Sequence, residues 1–354
     1  MPQGAPEPDG VDAPGADSSP GVYPGIAKRR ILLAAKLLLA AALFWLLFNL
    51  GFLDAGPLLG LLDSWGLLLA SAGLISVIWP IAAWRWLLLL QTQNINPSFR
   101  DAFKVAYGAA FIGLYLPGAV GSDLARVGLG MSLPRSKLSV LALSVVADRI
   151  LGIIGLMIVG LVASLTYLTY LDEGAPGYAQ LRIVVLVLAG IFAAMLAGLV
   201  AVAPVARKLR PRAAAKNWTS RGIILRVVAQ VVEAASLYMS QPGRLLLGLI
   251  VSILVHVLTL AVLTLLAWGI GLGGVSLWKY AVAGALTVVV NVLPITPGGL
   301  GIGEAAFSQL VLLLDPDAGP LPYATVFLAY RVIVAVTLLP ALAVMPSPFR
   351  RSKS

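Results

Sequence analysis

The sequence predicts an all-α polytopic membrane protein: six full spans plus two re-entrant broken-helix pairs in an inverted repeat, with one interfacial amphipathic helix. Three observations carry that prediction. Of 354 residues, 60% are hydrophobic and 11% charged, with a mean hydropathy of +0.96, whereas soluble domains carry about 25% charged residues. The apolar runs reach about 20 residues, enough to cross about 30 Å of hydrocarbon at about 1.5 Å per residue, and none alternates with the period of a barrel strand. Two apolar stretches are interrupted in the same way, by proline, glycine and a carboxylate.

The elements follow in order. Residues 1–27, rich in Pro, Gly, Asp and Ala, are expected to form a disordered tail, having too few apolar side chains to offset the entropy of ordering, and they lack a signal-peptide pattern. A transmembrane domain is expected over 28–347, with a basic tail at 348–354. Lys28, Arg29 and Arg30 precede a first span at 31–50, and a second at 65–90 ends near Trp84, Arg85 and Trp86. Two apolar pieces, 103–116 and 123–131, flank the first break. The longer would reach only about 21 Å, too short to cross, so the two read as a re-entrant pair. Spans three and four cover 138–165 and 181–203. A basic loop, 207–226, leads into "VVAQVVEAASLYM", whose apolar and polar faces suit a helix lying along the membrane surface. The fifth span is 245–269, the second broken segment 278–314 and the sixth span 322–345.

Orientation follows from the basic residues. With the N-terminus inside, the basic loops at 28–30, 100–104, 135–137, 207–226 and 350–353 face the cytoplasm. Asp54, Asp63, Asp172, Glu173, Asp315 and Asp317 face the other side. That is the positive-inside pattern of a cytoplasmic (inner) membrane protein with both termini in the cytoplasm. The same placement accounts for the net charge of +10 through topology and anionic headgroups, so nucleic acid is not expected as a partner. Zero cysteines and one histidine exclude disulfides, thiolate sites and a His-rich metal centre; no cofactor is expected.

The first break reads "LPGAVGSDLAR" (116–126) and the second "LPITPGGLGIGEAAF" (293–307). Pro117, Gly118, Gly121 and Asp123 match Pro297, Gly298, Gly301 and Glu304, with Gly299 beside them. Asp123 stands 26 positions before Arg149, and Glu304 27 before Arg331. Each unit, about 65–165 and 245–345, is a span, a broken helix with a carboxylate and a span with a buried arginine. The first unit opens with a span running inward and the second with one running outward, the inverted topology of alternating-access transporters. Proline removes an amide donor and glycine eases departure from the helix. Backbone freed in this way survives only where protein or water surrounds it. Helices restarting near Ser122 and Gly303 would aim their amide ends at the occupant of a cavity and favour an anion there.

Arg149 and Arg331 lie about 18 and 14 Å into their spans. Each would cost about 2.5–3.5 kcal/mol at mid-depth unless paired or hydrated. Asp123, Asp148 and Glu304 can close three ion pairs with Arg126, Arg149 and Arg331. Alternatively the arginines grip a lipid phosphate while a carboxylate takes up a proton, which would couple lipid movement to the proton gradient. The substrate-binding candidates are therefore Arg126, Arg149, Arg331, Asp123 and Glu304 with Gly118, Gly121, Gly298, Gly299 and Gly301. Candidates for a proton relay are Asp148, Glu304 and His256, the last otherwise an interhelical hydrogen-bonding residue. Arg85 and Trp86 read as interfacial anchors, and Gln309 and Asn291 are secondary candidates on the second broken segment. The GLGIGE string is no nucleotide loop, because the GK[ST] of a P-loop is absent. No catalytic or metal-ligating residue is expected.

Taken with "RW" at Arg85 and Trp86, "DRILGIIGL" from Asp148 and "YRVI" around Arg331, the two breaks give the chain a resemblance over 31–345. It resembles the flippase-like transmembrane region of lysylphosphatidylglycerol synthases and their stand-alone relatives. The resemblance implies a polytopic inner-membrane protein that translocates lipid. In the fused synthases a separate soluble domain transfers lysine from charged tRNA to phosphatidylglycerol; no length is left for it in this sequence, so aminoacyl transfer is not expected. Stand-alone relatives are associated with polyprenyl-linked sugars and hopanoids, which leaves the lipid open.

Three readings compete. A flippase for an anionic or phosphate-bearing lipid explains the breaks, the repeat and the midplane arginines together. An intramembrane transferase would want paired catalytic carboxylates or a metal cluster facing water, and the outer loops are short for one, so the chain is read as no enzyme. An accessory or scaffold subunit of a lipid or lipid-linked-sugar modifying enzyme would need neither feature. Expected partners are membrane lipids, anionic or polyprenyl-phosphate-linked, with room for a partner synthase or a homo-oligomer.

Overall fold

The computed structural model describes residues 55–116, 118–213, 235–274, 276–291, 296, 300–315 and 322–345, with single positions at 38, 42, 45, 46, 48, 49, 232 and 233. These residues are helical with short connections, and no strand occurs among them. The expected first span, both tails, and Pro117, Pro297, Gly298 and Gly299 lie outside the described residues.

A short helix α1 (Ala55–Gly60) precedes α2 (Trp65–Thr92). Two shorter helices, α3 (Phe99–Tyr115) and α4 (Gly118–Gly130), flank the first break, and the long α5 (Leu138–Tyr170) follows. Then come α6 (Tyr178–Ala213), α7 (Pro242–Gly269), α8 (Leu277–Asn291), α9 (Ile302–Leu314), α10 (Tyr323–Leu338) and a final turn, α11 (Ala341–Val344). Among the described residues five stretches are long and apolar enough to cross a membrane: α2, α5, α6 over Tyr178–Gly198, α7, and Tyr323–Val344. The chain is a multi-pass membrane protein.

Several expected boundaries move. The first short helix starts at Phe99 rather than 103, because Ser98 caps it by accepting the Asp101 amide. Its partner restarts at Gly118 rather than Ser122. Arg182 and Lys279 depart from the charge bias, falling at helix ends expected on the non-cytoplasmic side; Lys279 is ion-paired with Asp315. The segment read as a surface helix is described in part: 235–239 are helical, and Tyr238 is buried against Leu89 and Leu151 instead of lying on the surface.

The helices α3 and α4 form an antiparallel hairpin, since Gly113 faces Ser122 and Gly108 faces Leu129. A Cβ at Gly121 would stand 2.2 Å from that of Leu116, so glycine is required for the hairpin to close this tightly. Lys279 with Asp315 and Tyr280 with Phe307 show the same antiparallel arrangement for α8 and α9. The two units make matching contacts. The packing of α2 on α3, α3 on α4, α4 on α5 and α2 on α5 has counterparts in α7 on α8, α8 on α9, α9 on α10 and α7 on α10. Between units, α5 on α7 and α5 on α8 are matched by α10 on α2 and α10 on α3, while α2 packs on α7 along the junction.

Burial follows this arrangement. In α5, 56% of the most apolar window is buried, against 11% in α6, so α5 runs through the centre and α6 along the outside. Gly155 lets α5 and α7 approach closely, its missing Cβ lying 2.7 Å from that of Ser252.

Candidate functional site

The charged residues meet where α4 crosses α5. Asp123 and Arg126 are three apart on α4, hence neighbours on one face, and Asp148 and Arg149 are consecutive on α5. The result is a doubled, crossed ion pair. Arg149 Nε donates to both Asp123 oxygens at 3.0 Å, and its Nη2 to Asp123 Oδ1 at 2.9 Å and Ser122 Oγ at 3.1 Å. Arg126 Nη1 donates to Asp148 Oδ2 at 2.8 Å, and its guanidinium lies over the Trp86 ring, 5.6 Å from the centroid.

Asp148 has a second arginine. Arg85 Nε and Nη2 grip its two oxygens at 2.7 and 3.0 Å, and Arg85 Nη1 reaches Ser252 Oγ on α7 at 2.9 Å. Arg85 and Trp86, expected as interfacial anchors, both point into the bundle. Arg85 joins α2, α5 and α7 inside the bundle, and Trp86 is fully buried, donating its indole N–H to Ser144 Oγ at 3.1 Å. Their neighbour Trp84 is the exposed member of the trio.

The second unit closes a single pair. Arg331 Nε stands 2.7 Å from Glu304 Oε1, near enough for the ion pair though misaligned for a hydrogen bond, and the guanidinium lies 5.1 Å from the Phe327 ring centroid. The other carboxylate oxygen accepts the Gly301 amide at 2.8 Å, holding the first turn of α9. Gly301 has φ of 79°, a left-handed conformation that glycine adopts without strain.

Between the two units lies a cavity of about 630 Å³. Arg126, Arg149 and Arg331 all line it, with Ser122 from the first hairpin and Leu300 from the approach to α9; the remaining wall is largely apolar. The carboxylates do not line it: Asp123, Asp148 and Glu304 sit behind the guanidiniums they neutralise. The wall presented to the cavity is therefore cationic. Trp79, which lines the cavity, donates its Nε1 hydrogen to Thr337 Oγ1 on α10 at 3.4 Å, and the Tyr107 hydroxyl donates to the Thr337 carbonyl.

Of the candidates read from the sequence, Arg126, Arg149 and Arg331 thus meet at one hollow, with Asp123 and Glu304 behind them. Gly118 begins α4, Gly121 closes the hairpin and Gly301 caps α9. The proposed proton-relay residues are not brought together at the cavity. Asp148 is enclosed by two arginines, Glu304 is committed to Gly301 and Arg331, and His256 Nε2 donates to the Gly152 carbonyl at 2.9 Å, joining α7 to α5. A carbonyl only accepts, so Nε2 carries the proton. Gln309 is exposed, away from the cavity, and the Asn291 side chain is outside the described set. Sequence reasoning named Arg85 as an anchor and Ser122 as a helix restart, and did not pair either with the charged cluster. The available signal was that Asp148 and Arg149, adjacent on one helix, must face different partners.

A family profile described as "Lysylphosphatidylglycerol synthase TM region" matches residues 33–342, the whole stretch that builds both hairpins and the cavity. The chain belongs to that family. Comparison with curated proteins gave no match, nor did comparison with solved structures.

Proposed function

We propose that this protein is a lipid flippase, a transporter rather than an enzyme, which moves an anionic or phosphate-bearing lipid between leaflets of the cytoplasmic membrane. The observation that carries this reading is the convergence of three guanidiniums, from α4, α5 and α10, on one largely apolar cavity with their carboxylates behind them. An apolar wall suits acyl or prenyl chains, and guanidinium forks match phosphate oxygens.

The two hairpins are placed as re-entrant pairs entering from opposite faces. Their helices, 13 to 17 residues each, would reach about 20–26 Å, short of a hydrocarbon core of about 30 Å. The matched contacts between units support an inverted repeat, in which one unit rocks against the other to expose the cavity to each leaflet in turn. Both termini are assigned to the cytoplasm, and the partners are the lipid itself and, where present, the enzyme that makes or uses it.

Reconstitution into vesicles carrying a fluorescent anionic phospholipid tests the proposal. Wild-type protein should accelerate leaflet exchange, and Arg149→Ala and Arg331→Ala should reduce it at least tenfold. Exchange equal to that of protein-free vesicles would shift the assignment to an accessory subunit. Proton coupling is tested in the same assay by Glu304→Gln: pH dependence identical to wild type removes Glu304 from any such role.

A further inference from the structure

Resting on the reading that the cavity holds a phosphate-bearing headgroup, we propose that Arg126 is the anion-receiving residue and that the site takes a singly charged phosphodiester. Among the described residues the cluster contains four arginines and three carboxylates, an excess of one positive charge. Among the described residues Arg149 pairs with Asp123 and Arg331 with Glu304. The excess therefore belongs to the third carboxylate, Asp148, which two arginines share.

They share it unequally. Arg85 binds both oxygens of Asp148, gives its remaining terminal nitrogen to Ser252 and does not line the cavity. Arg126 contributes one nitrogen to Asp148, and its Nε is buried without an acceptor among the described residues. It lines the cavity, its guanidinium resting on Trp86. Removing Arg126 would leave a complete bidentate pair behind; removing Arg85 would not. Arg126 is thus the cation whose charge Asp148 does not require and whose donors are not all used.

In a low-dielectric site one uncompensated charge decides which ligand fits. A phosphodiester monoanion cancels the excess and offers two oxygens to a guanidinium. A zwitterionic headgroup leaves the excess in place, a cationic one adds to it, and a dianion overshoots.

The test is binding to the full-length chain in phosphatidylcholine micelles. Short-chain phosphatidylglycerol is titrated in one arm and dimethyl phosphate, the free phosphodiester, in another. Arg126→Gln should weaken phosphatidylglycerol binding by about tenfold or more, as expected for a lost charge-assisted hydrogen bond, and Arg126→Lys by less. Charge rescue is the sharper measurement. Arg85→Gln commits Arg126 to Asp148 and should weaken binding comparably, although Arg85 does not face the cavity; Arg85→Gln with Asp148→Asn restores the excess and should recover most of it. Dimethyl phosphate showing the same variant pattern assigns recognition to the phosphodiester alone, and phosphatidylglycerol showing it by itself assigns recognition to the lipid headgroup; either supports the proposal. Unchanged binding in Arg126→Gln, a double variant no better than Arg85→Gln, or equal binding of a short-chain phosphatidylethanolamine would overturn it. Binding that follows this pattern without leaflet exchange would sink the transport assignment alone, whereas exchange with variant-insensitive binding would sink only this proposal.

Discussion

The first unit joins its hairpin to the following helix with crossed ion pairs; the second does so with one sealed pair and a group of aromatic rings. Position by position the contrast is sharp. Asp148 immediately precedes Arg149, where Tyr330 precedes Arg331, and Arg126 follows Asp123 by three residues, where Phe307 follows Glu304. Phe307 is fully buried between Tyr280 and Phe327, at ring distances of 6.2 and 5.8 Å. The exposed fractions differ as well: 39% and 22% for Arg149 and Asp123, against 19% and 0% for Arg331 and Glu304. The first unit therefore carries the exposed Arg149–Asp123 pair beside the buried Arg85–Asp148–Arg126 cluster, and the second a fully buried carboxylate beside packed aromatic rings.

The strongest way to break this comparison is Asp148→Asn against Tyr330→Phe. The first leaves Arg85 and Arg126 buried without a counter-charge and should cost about 3–5 kcal/mol. The second removes one hydroxyl from the matching place and should cost about 1 kcal/mol or less. Thermal unfolding in detergent reads both, and equal losses would show that the halves are not specialised. Next in size is the contrast between Arg331→Ala and Arg149→Ala. Glu304 would be stranded without access to solvent, at about 3 kcal/mol, whereas Asp123 can hydrate and should lose about 1 kcal/mol. The smallest contrast lies within α4. Gly121→Ala must push Leu116 aside and should cost about 1–3 kcal/mol, while Gly128→Ala enters open space and should be within about 0.5 kcal/mol of wild type.

The sequence showed the long apolar helices and both breaks, because hydropathy and proline–glycine punctuation are local signals. It also set Asp123, Asp148 and Glu304 against Arg126, Arg149 and Arg331 and showed the recurring spacings, without assigning which carboxylate meets which arginine. What it misplaced was set by partners distant along the chain. Arg85 between two tryptophans looks like a headgroup anchor until Asp148, from another helix, arrives beside it. Ser122 was read as the restart of a helix, whereas Gly121 permits such close hairpin packing that the helix begins four residues earlier, at Gly118. Tyr238 looked like part of a surface helix because its burial depends on Leu89 and Leu151.

The carboxylate of Glu304 holds the loop amide of Gly301 with one oxygen and faces the Arg331 guanidinium with the other. Tilting the tip of the second hairpin away from α10 would break the Glu304–Arg331 pair and leave the Gly301 attachment intact. The Gly301 turn and α9 are therefore one piece, tied to α10 through the Arg331 guanidinium.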